Sequence, residues 1–305
     1  MTSVEANGIT LEYAETGAAG APVILLIMGL GMQLIAWPQS FCDGLAARGF
    51  RVIRFDNRDA GLSTPLPAGS LATTVKMARA MFGLPVRPPY TLTDMAHDAL
   101  GLLDALGIAR AHVAGASMGG MIAQILAIEH PERVKSLTSI MSTTGDRRLP
   151  GPKAKVLRAL LRPRPRNKAV AVRRGMQLFR LIAGSAYPPA DAELRGQVQR
   201  AMQRSYRPSG VVRQLLAIHA APSRTKALRR VRAPTLVLHG SDDPLVPMAA
   251  GEDTAANILG ARLRIVPGMG HFLPEALVPL LVDEIAAHCL AAENAAQGSD
   301  ARAGG

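Results

Sequence analysis

Apolar and polar positions change period several times along the chain, and the changes predict strands alternating with helices. Ile9 to Tyr13 alternates with period two, the pattern of a strand with one covered face. The next run, Pro22-Val23-Ile24-Leu25-Leu26-Ile27-Met28, is unbroken, which predicts a strand covered on both faces. It ends in Met28-Gly29-Leu30-Gly31, a glycine-rich turn. Phe41 to Arg48 predicts a helix stopped by Gly49, Arg51 to Phe55 a strand, and Asp56 to Ser63 a polar loop. A short helix is predicted over Leu71 to Met81. Thr93 is the predicted N-cap of a longer helix, with Asp94 and Asp98 near its positive end and Met95, Leu102, Leu103 and Leu106 on helical spacing. Ala111 to Ala114 then reads as a strand, Met121 to Glu129 as a helix, and Leu137 to Met141 as a strand. This alternation predicts a parallel sheet with helices on both faces.

The pattern breaks up after Gly145. Proline, arginine and short helical pieces follow, with Leu157, Leu160, Leu161, Leu178, Leu181 and Ile182 on helical spacing, and they predict a helical cap inserted over residues 145–224. Strands resume at Ala233 to His239 and Arg262 to Val266, and a last helix is expected over Phe272 to Leu290. The predicted class is therefore α/β, with a core built from 1–144 and 225–290 and a small, polar tail, 291–305, expected to be disordered.

Composition narrows the function classes. With 305 residues and 48% hydrophobic content the chain can bury one large core. Its two cysteines, Cys42 and Cys289, lie in apolar helical patterns, so no disulfide framework or zinc site is expected. The N-terminus lacks a basic region followed by an apolar stretch, and no apolar span reaches membrane length; a cytoplasmic protein without integral membrane association is expected, as monomer or homodimer. The net charge of +12 is uneven: Gly145 to Arg232 holds 22 Lys and Arg against 3 Asp and Glu. That excess favours a substrate with an anionic group, whereas no nucleic-acid-binding motif accompanies it.

The candidate chemistry starts at Gly115-Ala116-Ser117-Met118-Gly119-Gly120, between a predicted strand and a predicted helix. A Gly-x-Ser-x-Gly spacing is weak alone, but a strand that turns sharply into a helix pushes the central side chain out above the sheet edge. Ser117 is then a candidate nucleophile, and it needs a base held by a third group. His271, in the loop Pro267-Gly268-Met269-Gly270-His271 after a strand, is the candidate base. His288 falls inside the last predicted helix, where a structural role is expected. The acid is open between Asp242 and Asp243 in the loop after Thr235 to His239, with Asp146 as a third option. Backbone N–H groups of Met118 and Leu30 are candidate oxyanion donors. Met28, Gly29, Met121, Met141 and Met269 flank the same strand ends and are expected in the substrate pocket.

On these residues the chain resembles the α/β-hydrolase family over almost its full length, in the chain order Ser, Asp, His. The family pattern Gly-x-x-Asp-x-x-x-Pro falls on Gly240, Asp243 and Pro247, which implies Asp243 as the acid. Met28-Gly29, Trp37-Pro38, the Asp56-x-Arg58-Asp59-x-Gly61-x-Ser63 loop and the serine motif are most similar to the aclacinomycin methylesterase group. Many relatives carry His-Gly where this chain has Met28-Gly29; backbone donation at Leu30 survives that change. The resemblance implies a cofactor-free, metal-free carboxylesterase acting through an acyl-enzyme on a small-molecule ester. The same triad would serve a perhydrolase or haloperoxidase, or a carbon–carbon bond hydrolase, and a hydrolase scaffold can also act as a binding module without turnover.

Overall fold

The computed structural model describes residues 2–67, 75–76, 79, 84–162, 165 and 167–303. In chain order it places β1 (Thr2–Ala6), β2 (Ile9–Thr16), β3 (Val23–Ile27), α1 (Gln39–Ala47), β4 (Arg51–Phe55), α2 (Leu92–Ala105), β5 (Ala111–Ala116), α3 (Met118–Glu129) and β6 (Val134–Ile140). Between β6 and β7 come α4 (Ala154–Leu161), α5 (Lys168–Ile182), α6 (Asp191–Arg204), α7 (Pro208–Ala220) and α8 (Thr225–Leu228). The chain ends with β7 (Thr235–Gly240), α9 (Ala249–Ala256), β8 (Arg262–Val266) and α10 (Val278–Ala303). The helix expected over Leu71 to Met81 falls on a stretch mostly outside the described residues.

Among the described residues eight strands form one sheet in the order β1-β2-β4-β3-β5-β6-β7-β8. β2 pairs antiparallel with β1 and β4, and from β4 through β8 every pairing is parallel. The unbroken apolar run behaves as its composition predicts. Val23, Leu25 and Ile27 face one core layer with α2 and α3, while Ile24, Leu26 and Met28 face the other with α1 and α10. Central strands buried on both sides leave only their C-terminal ends free for chemistry.

Three elements differ from the sequence expectation. β1 precedes the predicted first strand, joined to it through Asn7 (φ 50°) and Gly8 (φ 75°), the left-handed pair that a two-residue hairpin turn requires. The N-cap of α2 is Thr91 and not Thr93: the Thr91 hydroxyl accepts from the Asp94 amide while the Asp94 carboxylate accepts from the Thr91 amide, a closed capping box. The last helix starts later and ends later than expected, running through the segment for which composition predicts a disordered tail. Its extension is tied to the sheet by Glu293, which accepts from Lys135 Nζ at 2.6 Å and meets His112 Nε2 at 2.9 Å. Among the described residues no helix is long and apolar enough to cross a membrane.

Candidate active site

At the junction of β5 and α3, Ser117 has φ 56° and ψ −119°, a conformation that costs a non-glycine residue about 1–3 kcal/mol. The surroundings hold it there. Its amide donates to Ile140 O at 2.9 Å, and its carbonyl accepts from the Gly120 amide and from Ser142 Oγ, at 2.9 and 2.7 Å. The flanking glycines are required by close approach: a Cβ at Gly115 would lie 2.1 Å from Gly119 O, and one at Gly119 would lie 2.0 Å from Ile27 O. Strand, turn and helix therefore pack backbone against backbone, and the Ser117 side chain is left on the wall of a cavity of about 240 Å³.

His271 lines the same cavity. Its loop is pinned from the insertion, since its amide donates to Ile182 O at 2.6 Å and the Gly270 amide to Ala183 O at 3.1 Å. The ring is fixed by Asp243, whose Oδ2 lies 2.6 Å from His271 Nδ1. Asp243 is 4% exposed, and its Oδ1 accepts from the amides of Leu245 and Val246, both at 2.8 Å. A carboxylate so placed can only accept, so Nδ1 carries the hydrogen and Nε2 is the basic nitrogen. Buried His239 is a near neighbour of Asp243, at 3.7 Å, but its Nε2–H is used by Val246 O and burial pushes its pKa down.

The other two acids are engaged elsewhere. Asp242 accepts from the hydroxyls of Ser185 and Ser241, hydrogen bonds that hold its carboxyl below the ordinary range. Asp146 is paired with Arg148 at 2.6 Å, which draws its pKa down to about 2. His288 sits on α10 with its ring mostly buried, and burial lowers its pKa.

Met28, Gly29 and Leu30 form another stretch of the cavity wall. A Cβ at Gly29 would lie 3.1 Å from Ser117 Cβ, so this turn runs directly against the serine. Among the described residues, the Leu30 and Met118 amides have no protein acceptor. Met141 also lines the cavity. Met121 and Met269 do not: Met121 points into the core layer under α3, and Met269, 1% exposed, packs in the layer with α10. Flanking a strand end does not settle which way a side chain points: Met121 lies on α3, where direction follows the helical period, and Met269 lies in the loop after β8.

Much of the remaining wall comes from the segment between α4 and α7 and was invisible to motif reading: Leu160, Leu178, Phe179, Val198, Met202 and Tyr206, with Phe272 from the core. The arginine excess lies mostly elsewhere. Arg213 grips Asp59 through Nε and Nη2, both at 2.7 Å; Arg204 donates to Asp56 at 2.6 Å; buried Arg224 donates to Gln124 and Thr143 O. Arg207 is the one cation among the described lining residues, and it is turned to Ser63 O. Arg204, Arg213 and Arg224 are thus turned to acids and carbonyls of the core, and of the predicted positive excess Arg207 alone reaches the wall among the described lining residues. Among the described residues His97 on α2, Glu129 at the end of α3 and His130 just after it bring ligand atoms within 4.8 Å of one another, and none of the three lines the cavity.

The sheet thus carries a strained serine at the end of a central parallel strand and an Asp–His pair beyond its last two strands. Residues 22–275 match the alpha/beta hydrolase fold family. The chain belongs to the α/β-hydrolase family. This hydrolase is 31% identical to the rhodomycin D methylesterase DauP of Streptomyces sp. (strain C5), over 93% of this chain and 96% of that protein. It is 27% identical to a 2-hydroxy-6-oxononadienedioate/2-hydroxy-6-oxononatrienedioate hydrolase of Burkholderia vietnamiensis, over 87% of this chain and 85% of the other. The solved enol-lactonase of Burkholderia xenovorans LB400 superposes with a TM-score of 0.72 at 23% identity, covering 94% of this hydrolase and 99% of that chain, a likeness of fold. The methylesterase relatives agree with the group to which the sequence motifs point.

Proposed function

We propose that this hydrolase cleaves carboxylic esters through a serine acyl-enzyme. The observation that carries the reading is His271, held by Asp243 at 2.6 Å, on the same cavity wall as the strained Ser117. His271 Nε2 takes the Ser117 proton as Oγ attacks the ester carbonyl. The amides of Leu30 and Met118 stabilise the negative oxygen of the tetrahedral intermediate. The intermediate collapses, His271 gives its proton to the departing alcohol, and the acyl group stays on Ser117. Water, deprotonated by His271, then attacks the acyl carbonyl and releases the acid and free serine. Asp243 steadies the imidazolium in both halves without taking its proton. Side chains, backbone amides and water supply every step.

Residues 145–224 act as the cap that shapes the acyl site. Leu160, Leu178, Phe179, Val198 and Met202 favour an apolar acyl group, and the methylesterase relatives favour a small alcohol on the other side. The Burkholderia vietnamiensis relative supports a second reading, carbon–carbon bond hydrolysis with the same residues. A panel of methyl and p-nitrophenyl esters together with a vinylogous diketone separates the two, with the parent and Ser117→Ala run side by side. Ester turnover should exceed diketone turnover, and Ser117→Ala should remove at least about a thousandfold of the rate. Equal rates in parent and variant would end the role of Ser117.

A further inference from the structure

We propose that Gln214, on α7, is a positioning residue that holds the Leu30 amide in register for the reaction, so that the seat of the cap on the core sets kcat. The inference rests on the ester-hydrolase reading above. Gln214 is fully buried, yet it touches neither Ser117 nor His271 in any hydrogen bond. Both ends of its amide are used: Oε1 accepts the Gly31 amide at 2.7 Å, and Nε2 donates to Arg58 O at 2.9 Å. Gly31 follows Leu30 directly, so fixing the Gly31 N–H fixes the Leu30–Gly31 peptide plane, which is joined through the Leu30 Cα to the Gly29–Leu30 plane that carries the donor N–H. Because φ of Gly31 is 66°, in the left-handed region, the Leu30–Gly31 plane could otherwise rotate with little steric resistance.

The core holds this turn through Asn57 Nδ2 to Met28 O at 2.8 Å and through Asp56 Oδ1, which accepts the Leu34 amide at 2.7 Å, and the turn closes on itself through the Met32 amide to Gly29 O at 3.2 Å. Between these points it is held by the cap. Besides Gln214, Gln33 Nε2 donates to Ala201 O and Ser205 O at 2.7 and 2.9 Å, and Arg204 donates to Gln33 Oε1 at 2.8 Å. Val211 closes the remaining space, since a Cβ at Gly31 would lie 2.7 Å from Val211 Cγ2. Val198, Ala201, Met202, Ser205 and Val211 of these helices and their link also line the cavity. The surface that meets the acyl group is therefore continuous with the surface that sets the oxyanion donor. A donor must sit 2.7–3.1 Å from the oxyanion, and a misplacement of about 1 Å costs on the order of a hundredfold.

Gln214→Met keeps the length and volume and removes both hydrogen bonds, whereas Gln214→Glu, protonated in this fully buried site, keeps an acceptor for Gly31 and a donor for Arg58 O. Steady-state kinetics on a p-nitrophenyl ester should show kcat lower by about 30- to 100-fold in Gln214→Met with KM within about threefold, and most of kcat kept in Gln214→Glu. A trifluoromethyl ketone, which forms a tetrahedral oxyanion on the serine, should bind Gln214→Met more weakly by the same factor as the loss in kcat/KM. The matching unreactive amide should bind within about threefold of its parent affinity. A general loosening of the cap would instead raise KM and weaken both inhibitors together, and that pattern would overturn the proposal, as would a Gln214→Glu kcat no better than that of Gln214→Met. If Gln214→Met does not fold, Gln214→Asn, about 1.5 Å short of Gly31, is judged by the same kcat and inhibitor criteria. Ser117→Ala in parallel keeps the two levels apart. Activity surviving in Ser117→Ala defeats the ester-hydrolase reading, while activity lost there but kept within twofold in Gln214→Met defeats only the role of Gln214.

Discussion

Two aspartate loops occupy comparable places, each after a parallel strand of the same sheet. Asp243 follows β7 and Asp59 follows β4; they are 4% and 2% exposed, and each uses both carboxylate oxygens. They differ in what they face. Asp243 meets the imidazole of His271, whereas Asp59 meets the guanidinium of Arg213, with Tyr90 Oη and the Leu66 amide each at 2.8 Å. Histidine exchanges a proton near neutral pH and arginine does not. The same buried carboxylate is thus placed beside a proton carrier in one loop and locks an insertion to its core in the other. A buried acid at a strand end acquires its meaning from its partner.

The largest expected effect separates the adjacent acids of the first loop. Asp243→Asn should preserve the fold and lower kcat for ester hydrolysis by about four orders of magnitude, because an amide at that place can present a donor to Nδ1 and favour the wrong tautomer. Asp242→Asn should change kcat less than about threefold, since its partners are Ser185 and Ser241. Comparable losses in the two variants would break the distinction between them.

The second loop should answer in stability first. Asp59→Asn leaves Arg213, itself 3% exposed, without its counter-charge, and breaking a buried pair in this way costs about 3–5 kcal/mol. Urea unfolding should register the loss, with faster tryptic cleavage among the cap arginines. Burial pushes the Asp59 pKa up, but the hydrogen bonds from Arg213, Leu66 and Tyr90 outweigh it, and the folded value lies below the ordinary one. The sign follows from that: the stabilisation is complete above about pH 4, the unfolded value, and is lost as pH falls through the lower folded value. Asp59→Asn should therefore flatten the acid limb of the stability profile. A parent and variant with parallel acid limbs would remove Asp59 as the cap's clamp.

This division between the loops also marks what the sequence could disclose. The serine turn was legible because its determinants are local: an apolar strand, glycines two residues either side of Ser117, and a helix. The residues alone left Asp242, Asp243 and Asp146 open, and the family spacing from Gly240 to Pro247 was needed to favour the one that meets His271. Asp59 carries no local sign of its partner, which lies 154 residues away. Net charge is uninformative in the cap for the same reason, because a sum over residues does not tell which arginines are turned inward to Asp56 and Asp59. The methionines fail differently. Met28 and Met121 both flank strand ends, but Met28 follows β3 onto the cavity wall, whereas Met121 lies in the first turn of α3 and the helical period turns it to the core. The Asn7-Gly8 pair is itself a hairpin signal, and a first strand read from Ile9 alone passes over β1.

The smallest expected effect tests whether the cap is held by its inward arginines or by its charge as a whole. Arg180 Nη2 meets Asp191 Oδ1 at 2.6 Å between α5 and α6, a distance as short as that of Arg204 to Asp56. Distance is therefore not what distinguishes them. The Arg180 and Asp191 side chains are 46% and 74% exposed, so water already solvates both charges and salt screens them, whereas the Asp56 side chain is fully buried. Arg180→Ala should lower stability by no more than about 1 kcal/mol and leave kcat within twofold. The residual effect should shrink further in high salt, while the cost of Asp59→Asn should persist there. A loss above about 2 kcal/mol in Arg180→Ala would mean that the outer charges hold the cap as firmly as the buried clamps do.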